Sequence, residues 1–194
     1  IDGYRVSLLG NIEFPIEASA VLQNGGEGVG LYRTEFLFVD AHQLPNEKQH
    51  LSAYLETIKT LKQKPFVIRT MDLGADKFAE VTGGEQERNP FLGCRSIRYC
   101  FENPEILNVQ LKAILKASVN ASIKILYPMI STLEELRWSL EQLEIAKKEL
   151  KSEGVAYAEN IPVGIMIEVP SAAIISEELA PLVDFFSIGT NDLV

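Results

Sequence analysis

The sequence is short of cysteine, of positive charge and of long apolar runs. Its 194 residues include two cysteines, Cys94 and Cys100, and 18 bases against 27 acids, for a net charge of −9. An acidic chain has no bulk attraction for nucleic acid or anionic membranes. No apolar run reaches the roughly 18 residues of a membrane-spanning helix, and no signal-peptide pattern is present. We therefore expect a soluble cytoplasmic protein with reduced thiols, no nucleic-acid partner and no direct membrane insertion.

Several catalytic signatures are also missing. There is no P-loop, no kinase signature and no Gly-x-Ser-x-Gly element. The glycine-rich stretch Gly26–Gly30 resembles a dinucleotide fingerprint, but it precedes a strand instead of opening a helix, so we reject it. His42 and His50 lie in polar stretches and are expected at the surface. Cys94 has no partner histidine that would make it a nucleophile.

What the sequence does contain is a regular alternation of apolar, strand-like segments with amphipathic, helix-like ones. The predicted strands are Val6–Phe14, Val29–Arg33, Phe66–Met71, Ile123–Ile130, Val163–Val169 and Val183–Ile188. Such alternation implies an α/β fold with a parallel sheet, either a doubly wound sheet or a (β/α)8 barrel. Six units are fewer than a full barrel needs, and no helix follows the last strand, so we expect a truncated chain.

Helix-start signals separate these strands. Pro45 is predicted at the first position of a helix over Asn46–Gln63, and Asn103–Pro104 opens another helix. Ser131 and Glu134 have the spacing of a capping box for a third long helix.

Two acids follow the last two predicted strands. Glu168 ends one apolar run and Asp192 lies just past the other. In a parallel sheet with a right-handed crossover, both reach the carboxyl edge, where α/β folds place their active sites. Two carboxylates about 4 Å apart repel by roughly 4 kcal/mol unless a cation or proton lies between them. Oxygen ligands without His or Cys favour Mg²⁺ or Mn²⁺, so we predict a metal here; otherwise each acid is a helix cap or a solvated loop residue.

Basic residues fall at the same edge of the predicted sheet. Arg33 closes the second strand, and Arg69 lies in the third. Burying an arginine is unfavourable unless it meets an anion. That anion is either a neighbouring acid, such as Glu35 or Asp72, or a bound phosphate or carboxylate, which the planar guanidinium fork suits.

The segment Asp72–Asn103 is too long for a plain connection in a compact domain. Its bases Lys77 and Arg95 could fold over the site, although pattern alone favours a solvated role for both.

Five motifs, in order along nearly the whole chain, resemble a known family. They are GVGLYRTEFLF (Gly28–Phe38), RTMDLGADK (Arg69–Lys77), NPFLGCRSIR (Asn89–Arg98), MIEVPSA (Met166–Ala172) and DFFSIGTNDL (Asp184–Leu193). The family is that of enzyme I, the phosphoenolpyruvate–protein phosphotransferases of the bacterial sugar phosphotransferase system, and the likeness is to their carboxyl-terminal domain. Pyruvate phosphate dikinase and phosphoenolpyruvate synthase share weaker forms of these motifs.

The resemblance implies that residues 1–194 are one domain, a (β/α)8 TIM-type barrel truncated to about six of eight strands. It implies binding of phosphoenolpyruvate and Mg²⁺, or Mn²⁺, at the carboxyl face. The positions that match the family's substrate-binding residues are Arg33, Arg69, Lys77, Arg95 and Asn191. The positions that match its metal ligands are Glu168 and Asp192.

The resemblance also implies partners outside this sequence. In the family, a histidine of a separate amino-terminal domain accepts the phosphoryl group and passes it to the carrier HPr, and the full-length protein is a homodimer. The family's catalytic cysteine and a further arginine fall beyond Val194. We therefore expect no catalytic residue within this chain, no turnover, weak binding of phosphoenolpyruvate at best, and association through open sheet edges. The alternatives are an enzyme of the dikinase or synthase type, and a non-catalytic phosphoenolpyruvate-sensing or dimerisation module.

Overall fold

The computed structural model of the chain describes residues 3–38, 44–73 and 93–193. Within these ranges, six parallel strands form one sheet in the order β1 to β6. The strands are β1 (Gly10–Ile12), β2 (Val29–Tyr32), β3 (Phe66–Arg69), β4 (Ile123–Tyr127), β5 (Val163–Ile167) and β6 (Phe185–Ile188). Each predicted strand is present but shorter than predicted. Val6 and Leu8 precede β1 and are exposed. After β3, β4 and β5, in contrast, burial continues past the end of the strand. Met129 and Ile130, for example, are buried although β4 has already ended.

Helices follow the strands along the chain. They are α1 (Glu17–Gln23), α2 (Glu47–Leu61), α3 (Ile97–Glu102), α4 (Pro104–Ala117), α5 (Leu133–Ser152), α6 (Pro170–Ile174), α7 (Ser176–Leu179) and α8 (Thr190–Leu193). The helices α2, α4 and α5 pack side by side, and their apolar faces join the core on the outer side of the sheet. In the described ranges, no helix has the length and apolar character needed to cross a membrane.

The alternation of side chains along the strands produces two apolar layers. The outer layer contains Ile68, Ile125 and Ile165 and is continuous with the helical core. The inner layer is a smaller cluster that consists of Leu31, Val67, Leu126, Met166 and Phe185. A packed inner layer enclosed by strands, with helices outside them, is the arrangement of a (β/α)8 barrel.

The sheet is curled, so that its two edge strands face a common space. Asn11 of β1 and Ser187 of β6 line the same cavity. In a flat sheet these edge strands would lie about 24 Å apart, at roughly 4.8 Å between neighbours. The predicted fold class is therefore confirmed: the chain is α/β and contains six strands of a TIM-type barrel.

The capping box of α5 lies one residue later than predicted. Thr132 Oγ1 accepts a hydrogen bond from the Glu135 backbone N–H at 3.2 Å, and Glu135 Oε2 accepts from the Thr132 N–H at 3.2 Å. Ser131 instead donates its hydroxyl to Glu135 Oε2 at 2.7 Å. The sequence offers two overlapping pairs with the same spacing, and the helix uses the second.

The start of α2 also differs from the prediction. Asn46 caps this helix, and it forms a reciprocal capping box with Gln49 through bonds of 2.9 and 3.0 Å. Pro45 consequently lies before the cap and is not the first helical residue. Pro104, in contrast, does occupy the first position of α4 as predicted.

His50 is buried, which corrects the prediction of a surface position. Its side chain is 1% exposed, and its Nδ1 lies 3.1 Å from the hydroxyl of Tyr54 one helical turn away. Burial lowers the pKa of the imidazole to about 4. The polar neighbours of His50 in the sequence lie on other faces of α2, whereas His50 and Tyr54 share the inward face. His42 lies outside the described residues.

Cys94 and Cys100 are not joined in a disulfide, and the Cys94 thiol lies 3.8 Å from Glu102 Oε2. Cys100 is buried in α3, and burial raises the pKa of its thiol to about 12. A thiol of that pKa is protonated at neutral pH and is a poor nucleophile.

Candidate anion and metal site at the carboxyl edge

A cavity of about 320 Å³ opens at the carboxyl edge of the sheet, on its inner side. Its walls come from the ends of five strands and from the segments that follow them. The lining residues are Asn11, Leu31, Arg33, Arg69, Asp72, Arg95, Met166, Glu168, Ser187, Ile188, Gly189, Thr190, Asn191 and Asp192. Six of the seven site residues predicted from the sequence are in this set. The seventh, Lys77, lies outside the described residues.

Strand ends bring the first two arginines to the cavity. Arg69 is the last residue of β3 and lies two positions after Val67, which belongs to the inner layer, so its side chain also points inward. Arg33 directly follows β2, and its backbone N–H donates to the Ile12 carbonyl at 2.9 Å, which continues the ladder with β1. Together with Arg95, these residues form what we call the arginine side of the cavity.

Arg69 makes the internal ion pairs that the sequence left open as an alternative. Its Nη2 lies 3.0 Å from Glu35 Oε1, and its Nη1 lies 3.2 Å from Asp72 Oδ2. All three side chains are largely buried, with exposed fractions of 12%, 14% and 2%. Burial raises the pKa of Glu35, and the charge of Arg69 opposes this rise.

Arg95 also pairs with Asp72. Its Nε and Nη2 donate to the two oxygens of Asp72 at 2.9 and 3.1 Å, in a bidentate arrangement. Asp72 is therefore shared by Arg69 and Arg95 and holds both guanidiniums at the cavity wall. Burial lowers the pKa of Arg95, but its hydrogen bonds to Asp72 and the nearby charges of Asp72, Asp192 and Glu168 outweigh burial and raise it.

Arg33 has a weaker internal partner and an unused donor. Its Nη2 lies 3.1 Å from Glu13 Oε2, and both side chains are partly exposed. The Nε atoms of Arg33 and Arg69 are buried and have no hydrogen-bond acceptor among the described residues. Buried donors without acceptors are rare in folded proteins. Two of them beside one cavity indicate a site for an anion.

The opposite wall, which we call the acidic side, consists of Glu168 and Asp192. Glu168 follows β5, and its Oε1 accepts a hydrogen bond from the Met129 backbone N–H at 2.7 Å. Burial raises the pKa of Glu168 to about 7; the Met129 N–H opposes this rise, Asp72 and Asp192 add to it, and Arg69 opposes it. Neither acid of this wall forms an ion pair with another described residue.

The turn after β6 needs glycine in order to approach Glu168. A Cβ atom added to Gly189 would lie 2.8 Å from Glu168 Cβ and 3.0 Å from its Oε2. The Gly189 N–H donates to the Ile167 carbonyl at 3.0 Å, which keeps the turn close to β5. The turn continues into α8, which carries Asn191 and Asp192, so the two acids of this wall face the same space.

The acidic side fits Mg²⁺ better than it fits a closed protein metal site. In the ranges that the structure describes, no three His, Cys, Asp or Glu side chains are grouped so that they could hold a metal. Mg²⁺ is ordinarily held by one or two carboxylates, and water and ligand phosphates complete its shell. The close approach of Gly189 leaves Glu168 Oε2 beside the cavity, where it could be one of these ligands.

Sequence reasoning missed several residues that shape this site. Glu13 pairs with Arg33, and Met129 turns its amide toward Glu168 with a φ of +57°, in the left-handed region. A positive φ at methionine has no sequence signal, because propensity favours glycine or asparagine there. Gly189 lies within a quoted motif, but its spacing does not reveal the close approach to Glu168.

Comparison with known proteins identifies the family of the chain. The family described as "PEP-utilising enzyme, PEP-binding domain", in which PEP is phosphoenolpyruvate, matches residues 1–194. The chain therefore belongs to the family of phosphoenolpyruvate-utilising enzymes and corresponds to their phosphoenolpyruvate-binding domain.

Several individual relatives carry the same name. Over 193 residues the chain is 46% identical to the phosphoenolpyruvate-protein phosphotransferase of Priestia megaterium and 45% identical to that of Staphylococcus carnosus. It is also 46% identical over 193 residues to the protein of the same name from Bacillus subtilis. Each match covers 100% of this chain but 34% of the relative, so the chain spans about a third of the length of these curated relatives.

Proposed function

We propose that this chain is the phosphoenolpyruvate- and Mg²⁺-binding part of a cytoplasmic phosphoenolpyruvate–protein phosphotransferase. The observation that carries the proposal is that three arginines and the carboxylates Glu168 and Asp192 line one cavity. The names of the relatives favour a phosphotransferase over an enzyme of the dikinase or synthase type. In the full-length protein, a histidine of a separate domain would accept the phosphoryl group and pass it to HPr, which would drive the uptake of sugars. The full-length protein would also form a homodimer.

The charges around the cavity imply that anion and cation bind together. Three arginines are surrounded by five carboxylates: Glu13, Glu35, Asp72, Glu168 and Asp192. With all of them ionised, these described groups are net negative, so they would repel an anion as highly charged as phosphoenolpyruvate. A divalent cation on the acidic side would neutralise this excess of negative charge. We therefore expect phosphoenolpyruvate binding to depend on Mg²⁺, with Mn²⁺ as a substitute.

The arginine side would hold and orient the phosphoryl donor. The Nε donors of Arg33 and Arg69 have no acceptor among the described residues, so phosphoryl or carboxylate oxygens could satisfy them, and Asp72 keeps Arg69 and Arg95 fixed before a ligand arrives. Such preorganised donors stabilise charge as the bond from phosphorus to the enol oxygen breaks. A cation held by Glu168 and Asp192 would supply further neutralisation of the phosphoryl oxygens.

The phosphoryl acceptor is not the described histidine. His50 is buried on α2, and its ring packs against Phe38 and Tyr54 on the outer side of the sheet. The new bond from phosphorus to nitrogen would therefore form on a group that is not His50. This supports our proposal that a histidine of a separate domain is the acceptor.

Binding can be tested by titrating the isotopically labelled chain with phosphoenolpyruvate and following amide shifts by NMR, with and without Mg²⁺. We expect a dissociation constant on the order of millimolar with Mg²⁺ and no saturation without it.

Two arginine variants form a matched pair for this titration. Arg33 pairs with Glu13 at 3.1 Å at the carboxyl edge, and Arg5 pairs with Glu27 at 3.3 Å near the amino end of β2. Arg33→Gln should weaken binding about tenfold or more, whereas Arg5→Gln should leave it within about twofold. Equal effects of the two substitutions, or binding that ignores Mg²⁺, would contradict the proposed function.

A further inference from the structure

Three fully buried polar residues lie behind the cavity and do not line it. Thr34, Ser96 and Gln110 are each 0% exposed. Every one of them is hydrogen-bonded to the backbone of the segment 69–73, which carries Arg69 and Asp72. Buried polar groups usually find partners, but three that converge on one short segment indicate a shared role.

Gln110 of α4 fixes this segment at two points. Its Oε1 accepts from the Met71 backbone N–H at 2.9 Å. Its Nε2 donates to Thr34 Oγ1 at 3.0 Å, and the Thr34 hydroxyl donates in turn to the Arg69 carbonyl at 3.0 Å. A second contact of Nε2 reaches the Tyr54 hydroxyl at 3.3 Å. One side chain therefore sets the position of the backbone on both sides of Thr70.

Ser96 fixes the far end of the same segment. Its hydroxyl donates to the Met71 carbonyl at 3.1 Å, and its N–H donates to the Leu73 carbonyl at 2.9 Å. Ser96 has a φ of +55°, which an L-residue adopts rarely and only with support from its surroundings. Because Ser96 directly follows Arg95, these two bonds also fix the backbone from which Arg95 reaches Asp72.

The segment needs this support because it is leaving the sheet. The Thr70 N–H makes the last ladder-like bond, to the Leu126 carbonyl at 2.9 Å. Beyond it, the next backbone groups are held by side chains, including Glu35, whose Oε1 accepts from the Asp72 N–H at 3.2 Å. Arg69 is still paired with Leu126 in the ladder, and the Thr34 hydroxyl holds its carbonyl. Beyond Thr70 the ladder has ended, so the direction of Asp72, which pairs with Arg69, depends on these side-chain bonds.

We propose that Gln110, Thr34 and Ser96 are positioning residues of the anion site. They act through the backbone of the segment 69–73 and through Arg95, and they do not touch the ligand. The inference rests on the proposed function, because it assigns them a role in binding phosphoenolpyruvate. It also states that these residues set the position of the Arg69 guanidinium in the ligand-free chain, and this statement can be tested without ligand.

The main test is Gln110→Met, with Gln142→Met as its control. Both are buried amides on neighbouring helices, α4 and α5, with exposed fractions of 0% and 8%, and neither lines the cavity. Gln110 is hydrogen-bonded to the segment 69–73, whereas no described hydrogen bond joins Gln142 to it. Gln110→Met should weaken Mg²⁺-dependent phosphoenolpyruvate binding about tenfold, and Gln142→Met should change it less than about twofold. In the ligand-free chain, the Arg69 Nε–H resonance should shift or broaden in Gln110→Met alone.

A second pair of variants covers the case in which Gln110→Met does not fold. Thr34→Val removes the hydroxyl that connects Gln110 to the Arg69 carbonyl, and Thr34→Ser retains it. We expect the valine variant to lose affinity and to shift the Arg69 resonance, and the serine variant to restore both.

The outcomes separate this inference from the proposed function. If the unsubstituted chain does not bind phosphoenolpyruvate, the proposed function is wrong for this chain, and the Arg69 resonance alone decides the positioning role. Folded variants that bind like the unsubstituted chain overturn the positioning role. An unmoved Arg69 resonance also overturns it, even with lost affinity, because the loss then has another origin.

Discussion

The charged groups on the two sides of the cavity differ in whether they have partners of opposite charge. On the arginine side, each guanidinium has a carboxylate partner: Glu13 for Arg33, Glu35 and Asp72 for Arg69, and Asp72 for Arg95. On the acidic side, neither Glu168 nor Asp192 has a cationic partner among the described residues.

The difference follows from what each group can do when it is buried. A guanidinium does not lose its proton in a protein, so a buried arginine needs a permanent negative partner. A carboxyl group can take up a proton instead, and the pKa of Glu168, raised to about 7 by burial, shows that tendency. The arginine side is therefore fixed in advance, while the acidic side can take up a proton, which the proposed metal ion would replace.

The largest effect should come from breaking the arginine side at its centre. Arg69→Met would leave Glu35 and Asp72 buried with one cation fewer between them. We expect a loss of about 3 kcal/mol or more in the free energy of unfolding, together with loss of phosphoenolpyruvate binding. Urea unfolding at pH 7 measures the first effect. A loss below about 1 kcal/mol would show that these ion pairs do not support the wall.

The acidic side should respond in the opposite direction. Glu168→Gln removes a carboxylate that is unfavourable when ionised, so the variant should be more stable than the unsubstituted chain at pH 8, by about 1–3 kcal/mol. The folded state holds its Glu168 proton up to about pH 7, whereas the ordinary value is 4.5. The stability of the unsubstituted chain therefore falls relative to the variant as the pH rises from about 4.5 through 7.

Urea unfolding of both proteins from pH 4.5 to pH 8 checks this difference. His50, whose lowered pKa gives a slope of opposite sign, is present in both and cancels in the comparison. A difference that does not change with pH would contradict the account. Mg²⁺ should also stabilise the unsubstituted chain at pH 8 more than it stabilises Glu168→Gln, because the variant lacks one proposed ligand.

The smallest change in stability should come from Arg33. Its ion pair with Glu13 is exposed by 42% and 32%, and such pairs contribute about 0–1 kcal/mol. Arg33→Gln should therefore lose ligand affinity with little change in its urea midpoint. This result would show that Arg33 contributes to ligand binding and little to the stability of the fold. A midpoint shift as large as that of Arg69→Met would show that Arg33 is a structural residue.

The fold and much of this cavity could be predicted from the sequence, because strand ends are local signals. Parallel topology then brings residues that follow different strands to one edge, which places Arg33, Arg69, Glu168 and Asp192 around the same cavity. Their roles as ligands remain predictions, and Lys77 lies outside the described residues.

Long-range side-chain contacts could not be predicted in the same way. Gln110 and Thr34 are 76 positions apart in the sequence, and no local pattern joins them. The choice between internal acids and a bound anion for Arg69 also depended on where Glu35 and Asp72 come to lie. His50 was misplaced because its sequence neighbours are polar, although helical spacing puts it on the face of Tyr54.

The central claim is that one cavity binds a divalent ion on its acidic side and an anion on its arginine side. Anomalous diffraction from crystals of the chain grown with Mn²⁺ and phosphoenolpyruvate tests it most directly. We predict a manganese peak within about 2–2.5 Å of oxygens of Glu168 and Asp192, and the phosphate against Arg33 and Arg69. A metal peak away from these two acids, or a phosphate away from these arginines, would contradict the account.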